Sequence, residues 1–170
     1  MKDASIAIVD TSFWIHLVKV DLLDIFLEYY SKIIFPSKVE AELTFFESFK
    51  YKVFIPLDVR EYRRLKKKEI IIIKDPLKVS KELESQVSKN SGEIFCIALS
   101  LEKGYISFID NGRPYDFCKK NNILVSNIIE FMLFLYFEKK ISKKDFLLKI
   151  KLIERSISKE YLKNIESYLK

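Results

Sequence analysis

Short β-branched runs alternate along this chain with longer stretches of helical spacing. Ser5-Ile6-Ala7-Ile8-Val9 is the first such run and stops at Asp10, which predicts a buried strand. Helical periodicity follows over Ser12 to Lys19 and again over Asp21 to Tyr30, with Asp21 capping the second helix. Ile33-Ile34-Phe35 predicts another strand, and Pro36 opens a helix reaching about Phe46, because proline is tolerated in a first turn. Phe49 to Lys68 fits either an extended loop or a basic helix. Ile70 to Ile73 is strand-like, and helices are predicted at about Leu77–Ser88 and Glu93–Glu102, the latter ended by Gly104. A strand at Ile106–Ile109 runs into Asp110, followed by a helix from about Pro114 to Lys120 and a strand at Ile123–Val125. Three helical stretches, about Asn127–Glu138, Lys143–Glu154 and Lys159–Tyr168, close the chain. Strands alternating with helices predict an α/β fold with a largely parallel sheet. No repeat or low-complexity segment is present. A single domain over 1–170 follows, with its core at about 4–138 and a basic helical extension at about 139–170.

Composition agrees with a packed core: the chain has 170 residues, of which 49% are hydrophobic. Its longest relevant apolar run, Ile128 to Phe137, contains Glu130 and is shorter than the ~20 residues a bilayer demands. Asp10 interrupts the first apolar stretch, so no signal peptide is predicted, and the expected compartment is the cytoplasm. Cys96 and Cys118 lack metal-site spacing and are expected to be reduced, buried hydrophobes. The chain's one histidine, His16, sits in an amphipathic stretch and is read as structural. Any catalysis must then rest on groups other than imidazole, which excludes Ser/His/Asp triads.

Charge adds a further element. The net charge is +6, and Lys139 to Lys170 alone carries ten Lys/Arg against four Asp/Glu. Arg60 to Lys68 holds six bases and one acid around Tyr62. Basic patches interleaved with tyrosine suit a polyanion, with Tyr62 or Tyr115 available to stack on bases. A solvated face in a lysine-rich proteome gives the same composition.

Open parallel sheets gather ligands at the carboxyl ends of their strands. Asp10 and Asp110 directly follow two predicted strands, Glu42 lies two turns into the helix opened by Pro36, and Glu93 lies in the first turn after Ser91-Gly92. Each has a plain structural role available: Asp10 as a helix cap, Glu93 as a complement to the helix dipole, Glu42 as a solvated carboxylate and Asp110-Asn111-Gly112 as a turn. Convergence of all four is costly, since one pair ~4 Å apart repels by about 4 kcal/mol at an effective dielectric of 20. Such a cluster needs a cation or bound protons. Oxygen ligands of this kind favour Mg²⁺ or Mn²⁺ over zinc, and such an ion can bind phosphate oxygens and activate water.

These residues resemble a known family. Ile8-Val9-Asp10-Thr11-Ser12 followed by Ile15-His16-Leu17-Val18-Lys19 is similar to the opening of a PIN domain. Ile34-Phe35-Pro36-x-x-Val39-x-x-Glu42-Leu43, Gly92-Glu93-x-x-x-Ile97-Ala98-Leu99 and Phe108-Ile109-Asp110-Asn111 resemble its next three motifs. Ile123-Leu124-Val125-Ser126-Asn127 resembles the strand and turn that follow. Ile157-Ser158-Lys159-Glu160-Tyr161-Leu162 is similar to the tail of the VapC-like branch of bacterial and archaeal PIN ribonucleases.

The resemblance implies a three-layer α/β/α fold and a Mg²⁺- or Mn²⁺-dependent endoribonuclease that is toxin-like, homodimeric and paired with an antitoxin. By matched position, Asp10, Glu42, Glu93 and Asp110 form the acidic quartet. Asp10 and Asp110 are then direct metal ligands, Glu93 a direct or water-mediated one, and Glu42 orients a water on the metal. Thr11, Ser12, Asn111 and Arg113 are the implied substrate-binding residues. Asn111 stands where the family often has a second acid, and its amide supplies no charge. The basic group that the family carries on the first turn of the following helix is displaced here to Arg113, before Pro114, and Asp116 is acidic. A catalytically weak or inactive nucleic-acid-binding or interaction module with the same fold is therefore the alternative. An aspartyl phosphate at Asp10 would need a second aspartate where Ser12 stands.

Overall fold

The β-branched runs form five parallel strands, and the chain enters the sheet at its middle. The computed structural model describes residues 5–49, 56–87, 91–110, 112–157 and 165, with the side chains of 45–49 left aside. Strands β1 (Ile6–Val9), β2 (Lys32–Phe35), β3 (Ile71–Ile73), β4 (Ile106–Phe108) and β5 (Val125–Ser126) lie in the order β3-β2-β1-β4-β5. The chain builds outward from β1 to β3, then crosses back to place β4 on the other side of β1. Two neighbouring strands whose connections leave in opposite directions make a topological switch point. Pairing Val9 with Phe108 in register sets the residues after β1 and β4 side by side.

Helices cover both faces, giving the three-layer α/β/α architecture. On one side α1 (Thr11–Lys19) packs against α4 (Leu57–Lys67), α8 (Ile128–Phe137) and α9 (Lys143–Ile153). On the other, α6 (Gly92–Lys103) packs against β1, β4 and α7 (Gly112–Lys120). Helix α3 (Ser37–Phe49) touches both α1 and α6, while α2 (Leu23–Tyr29) and the short α5 (Lys81–Gln86) complete the connections. The mostly apolar α8 buries Ile128, Ile129, Phe131, Met132 and Leu135 and leaves Phe134 and Phe137 exposed. Among the described residues no helix is long and apolar enough to cross a membrane.

Several boundaries differ from expectation for local reasons. Asp21 does not cap α2. It sits at φ 54° with its amide on the Val18 carbonyl, closing α1 in the left-handed conformation that aspartate tolerates. Lys149 of α9 also donates to the Val20 carbonyl at 2.5 Å, adding a cation at the negative end of α1. Of the loop and the basic helix that Phe49 to Lys68 fits, the helix forms over α4, whose Val59, Tyr62 and Leu65 face inward at helical spacing and turn the bases outward. Helix α5 begins only at Lys81, because Ser80 caps it by accepting from the Leu83 amide. Gly104 ends α6 at φ 70°, as its lack of a Cβ predicts. The last strand is shifted to Val125–Ser126. The predicted helix at 159–168 lies outside the described residues, apart from Ile165.

Aromatic rings fill the space beneath the sheet's carboxyl edge. Phe108 lies 4.7 Å from Phe13, 5.0 Å from Phe26, 5.2 Å from Tyr30 and 6.1 Å from Phe131, measured between ring centroids. Truncating this ring removes packing from β4 and three helices at once. Phe108→Ala is expected to cost about 3–5 kcal/mol in urea unfolding, and a loss under ~1 kcal/mol would show that the cluster does not hold the edge.

Candidate functional site

The switch point places two aspartates where their backbone surroundings fix them. Asp10 follows β1, and its amide donates to the Phe108 carbonyl at 3.0 Å. It is also the N-cap of α1: Oδ1 accepts from the Phe13 amide at 2.7 Å. The structural role and the candidate chemical role thus fall on different oxygens of one carboxylate. Oδ2 is buried and has no hydrogen-bond partner. Burial pushes the Asp10 carboxyl well above the usual carboxylate range, and the charges of Asp110 and Glu93 push it the same way. The Phe13 and Asp110 amides oppose this without cancelling it.

Asp110 is held just as firmly. Its Oδ1 accepts from the Ile128 amide at 2.7 Å, at the first turn of α8, where the helix dipole favours a negative charge. Its Oδ2 pairs with His16 Nδ1. His16 is buried, as expected of a structural histidine, but its partner is a candidate metal ligand from the far side of the sequence. The signal for this was present: His16 falls three residues after Phe13 on the buried stripe of α1, and a buried imidazole needs a polar partner.

Glu42 and Glu93 arrive from α3 and α6. Glu42 is exposed, yet Oε1 accepts from the Gly92 amide at 3.0 Å and Oε2 from the Thr11 hydroxyl at 2.5 Å. It thereby ties α1, α3 and the N-terminus of α6 together. Gly92 permits this contact: a Cβ there would lie 2.9 Å from Val39 Cγ2 and 3.0 Å from Glu42 Oε1. Glu93 is half-buried in the first turn of α6. Beneath them Cys96 is fully buried, its thiol pushed well up by burial and then by the charges of Asp10, Glu93 and Glu42. Both cysteines are free and buried, and burial pushes Cys118 up to about 12. They are inert thiols.

Among the described residues, no three His, Cys, Asp or Glu side chains stand close enough to enclose an ion. The donor set nevertheless suits a hard cation, because Asp10 Oδ2 is an orphaned buried oxygen in the field of two further acids. The other orphaned oxygen among the described residues, Ser91 Oγ, belongs to the residue capping α6 just before Gly92-Glu93. Thr11 and Ser12 open α1, with the Thr11 hydroxyl committed to Glu42. Arg113 is exposed in the first turn of α7, and Asn111 lies outside the described residues. Tyr62 is not a stacking platform. It is buried, stacks on Phe35 with rings 5° from parallel, and gives its hydroxyl to Glu40. Tyr115 is half-buried, donates to Glu130 at 2.5 Å and has Lys119 Nζ 5.2 Å from its ring centroid.

An all-parallel α/β/α sheet with aspartates following two adjacent strands at its switch point belongs to the class of open-sheet α/β proteins that bind ligands at the carboxyl ends of their strands. A family model described as DUF3368, a PIN domain, matches residues 6–168, and the chain belongs to the PIN-domain family. No curated protein matches the chain in sequence.

The unpartnered oxygen has a thermodynamic signature. Asp10→Asn keeps an oxygen to cap Phe13 and removes the buried charge. At neutral pH in a chelator it is expected to raise the melting midpoint by a few degrees. Because the folded state raises the Asp10 pKa, the wild type's proton-bound stability is complete below the ordinary aspartate range and lost as pH rises through the folded-state value. The gap between variant and wild type therefore widens with rising pH. Calorimetry across that interval checks this, and a gap that stays constant contradicts it.

Proposed function

We propose that this protein is a metal-dependent endoribonuclease that hydrolyses RNA phosphodiester bonds. The observation that carries the reading is Asp10 Oδ2, buried and unpartnered beside Asp110 and Glu93 at the carboxyl edge of the sheet. Asp10, Asp110 and Glu93 are the residues that would hold Mg²⁺ or Mn²⁺. When bound, that ion supplies positive charge to the phosphate oxygens and acidifies water. Glu42 is held by Thr11 and the Gly92 amide, which supports a role for it in orienting the attacking water. Thr11 and Ser12, at the start of α1, would contact the substrate at the same edge, and the resemblance gives Asn111 the same role. Exposed bases on α4, Arg60 and Lys67 among them, and Arg113 on α7 suit the phosphate backbone. The VapC-like resemblance extends the proposal to a toxin-like enzyme of the cytoplasm, acting as a homodimer and restrained by an antitoxin.

A second reading has its own support. One oxygen of Asp110 is taken by His16, and no three candidate ligands among the described residues surround an ion. These features favour a PIN-fold module that binds nucleic acid with little or no turnover.

Cleavage of single-stranded RNA separates the two. The wild type is expected to cut with Mg²⁺ or Mn²⁺ and not in a chelator, with Asp10→Asn and Asp110→Asn slower by ~100-fold or more. Equal cleavage by all three proteins would trace the activity to a contaminant. Salt-dependent binding without cleavage would establish the second reading.

A further inference from the structure

A cavity of about 370 Å³ opens between α1, α3 and the start of α4, next to the acid cluster. Ile15, Leu43, Pro56 and Val59 supply its apolar walls, and Glu42 and Asp58 are the acidic residues among its lining. Its size lies within the range of small-molecule sites. Glu42 belongs to both places, since it lines this cavity while its carboxylate holds Thr11 and the Gly92 amide. Whatever occupies the cavity therefore adjoins whatever binds at the acids.

Asp58 decides the chemistry. Its backbone is anchored, because its carbonyl accepts from the Trp14 indole at 3.0 Å. Its half-buried carboxylate makes no hydrogen bond or ion pair with another described residue. Two acids on an apolar slot repel a phosphate but accept a neutral, flat ring that brings N–H donors. A carboxylate accepts two parallel hydrogen bonds best. Guanine alone among the four RNA bases presents adjacent ring and exocyclic N–H donors on its Watson–Crick edge. Adenine and cytosine set a ring lone pair beside their amine, and uracil flanks its N–H with two carbonyls.

We infer that this cavity is a subsite for an unpaired guanine adjoining the phosphodiester at the acid cluster, with Asp58 reading its Watson–Crick edge. The inference rests on the nuclease reading for the position of the phosphate. The exposed Arg60, one turn into α4, extends the same path toward the next phosphate.

The test uses the intrinsic fluorescence of Trp14, the chain's one tryptophan, whose indole is bonded to Asp58. Single-stranded pentamers UUGUU, UUAUU, UUCUU and UUUUU are titrated at low salt in a chelator, so that hydrolysis does not compete. UUGUU is expected to bind about tenfold more tightly than the others. Asp58→Asn is expected to bring all four within ~2-fold of one another, with any gain from the lost negative charge shared equally by the four. Equal binding of the four by the wild type, or a preference that survives in Asp58→Asn, overturns the inference. Agmatine binding more tightly than UUGUU, and only with Asp58 present, also overturns it and assigns the slot to a guanidinium group from a protein partner. Equal binding alongside metal-dependent cleavage sinks the guanine subsite alone. A guanine preference without any cleavage leaves the subsite and sinks hydrolysis.

Discussion

Parallel pairing of β1 with β4 is the constraint on which the site depends. Neither strand carries an acid, yet their shared register leaves Asp10 and Asp110 emerging together where the chain's direction of winding reverses. Like charges brought together by hydrogen-bonded backbone cannot move apart without breaking the sheet. The strain has to be met by protons, by opposing dipoles or by a cation. The structure uses dipoles for three of the four oxygens' needs: the first turns of α1 and α8 each take one carboxylate oxygen, and His16 takes a third. Asp10 Oδ2 is the oxygen left over.

The outer acids are positioned by a different device. Glu42 would be an ordinary solvated side chain were it not for Gly92, whose bare backbone lets α6 approach α3 closely enough to donate an amide. Glu93, the next residue, is close enough for its charge to act on Asp10. The inert, buried thiol of Cys96 below them adds bulk without adding a competing ligand.

Much of this was legible in the chain. β-Branched runs ending in Asp10 and Asp110 announced the two central strands β1 and β4, and Pro36 and Gly104 marked a helix start and a helix end. Acids spaced across 100 residues pointed to one edge because a parallel sheet focuses its ligands there. Less legible were features decided by tertiary contact. Tyr62 lies in a basic run that reads as an exposed binding stripe, but its spacing from Val59 and Leu65 turns it inward onto Phe35. Asp21 has the composition of a helix cap and instead closes the helix before it. The partnership of His16 with Asp110 spans 94 positions, beyond the reach of any local pattern.

The central claim is that Asp10, Asp110 and Glu93 share a hollow completed by a hard cation. A crystal of the wild type grown with Mn²⁺ tests it most directly through the metal's anomalous scattering. The account predicts a peak within coordination distance of Asp10 Oδ2 and shared with Asp110, absent from crystals of Asp10→Asn. Crystals saturated with Mn²⁺ that show no peak at this edge, or the same peak after Asp10 is replaced, would contradict it.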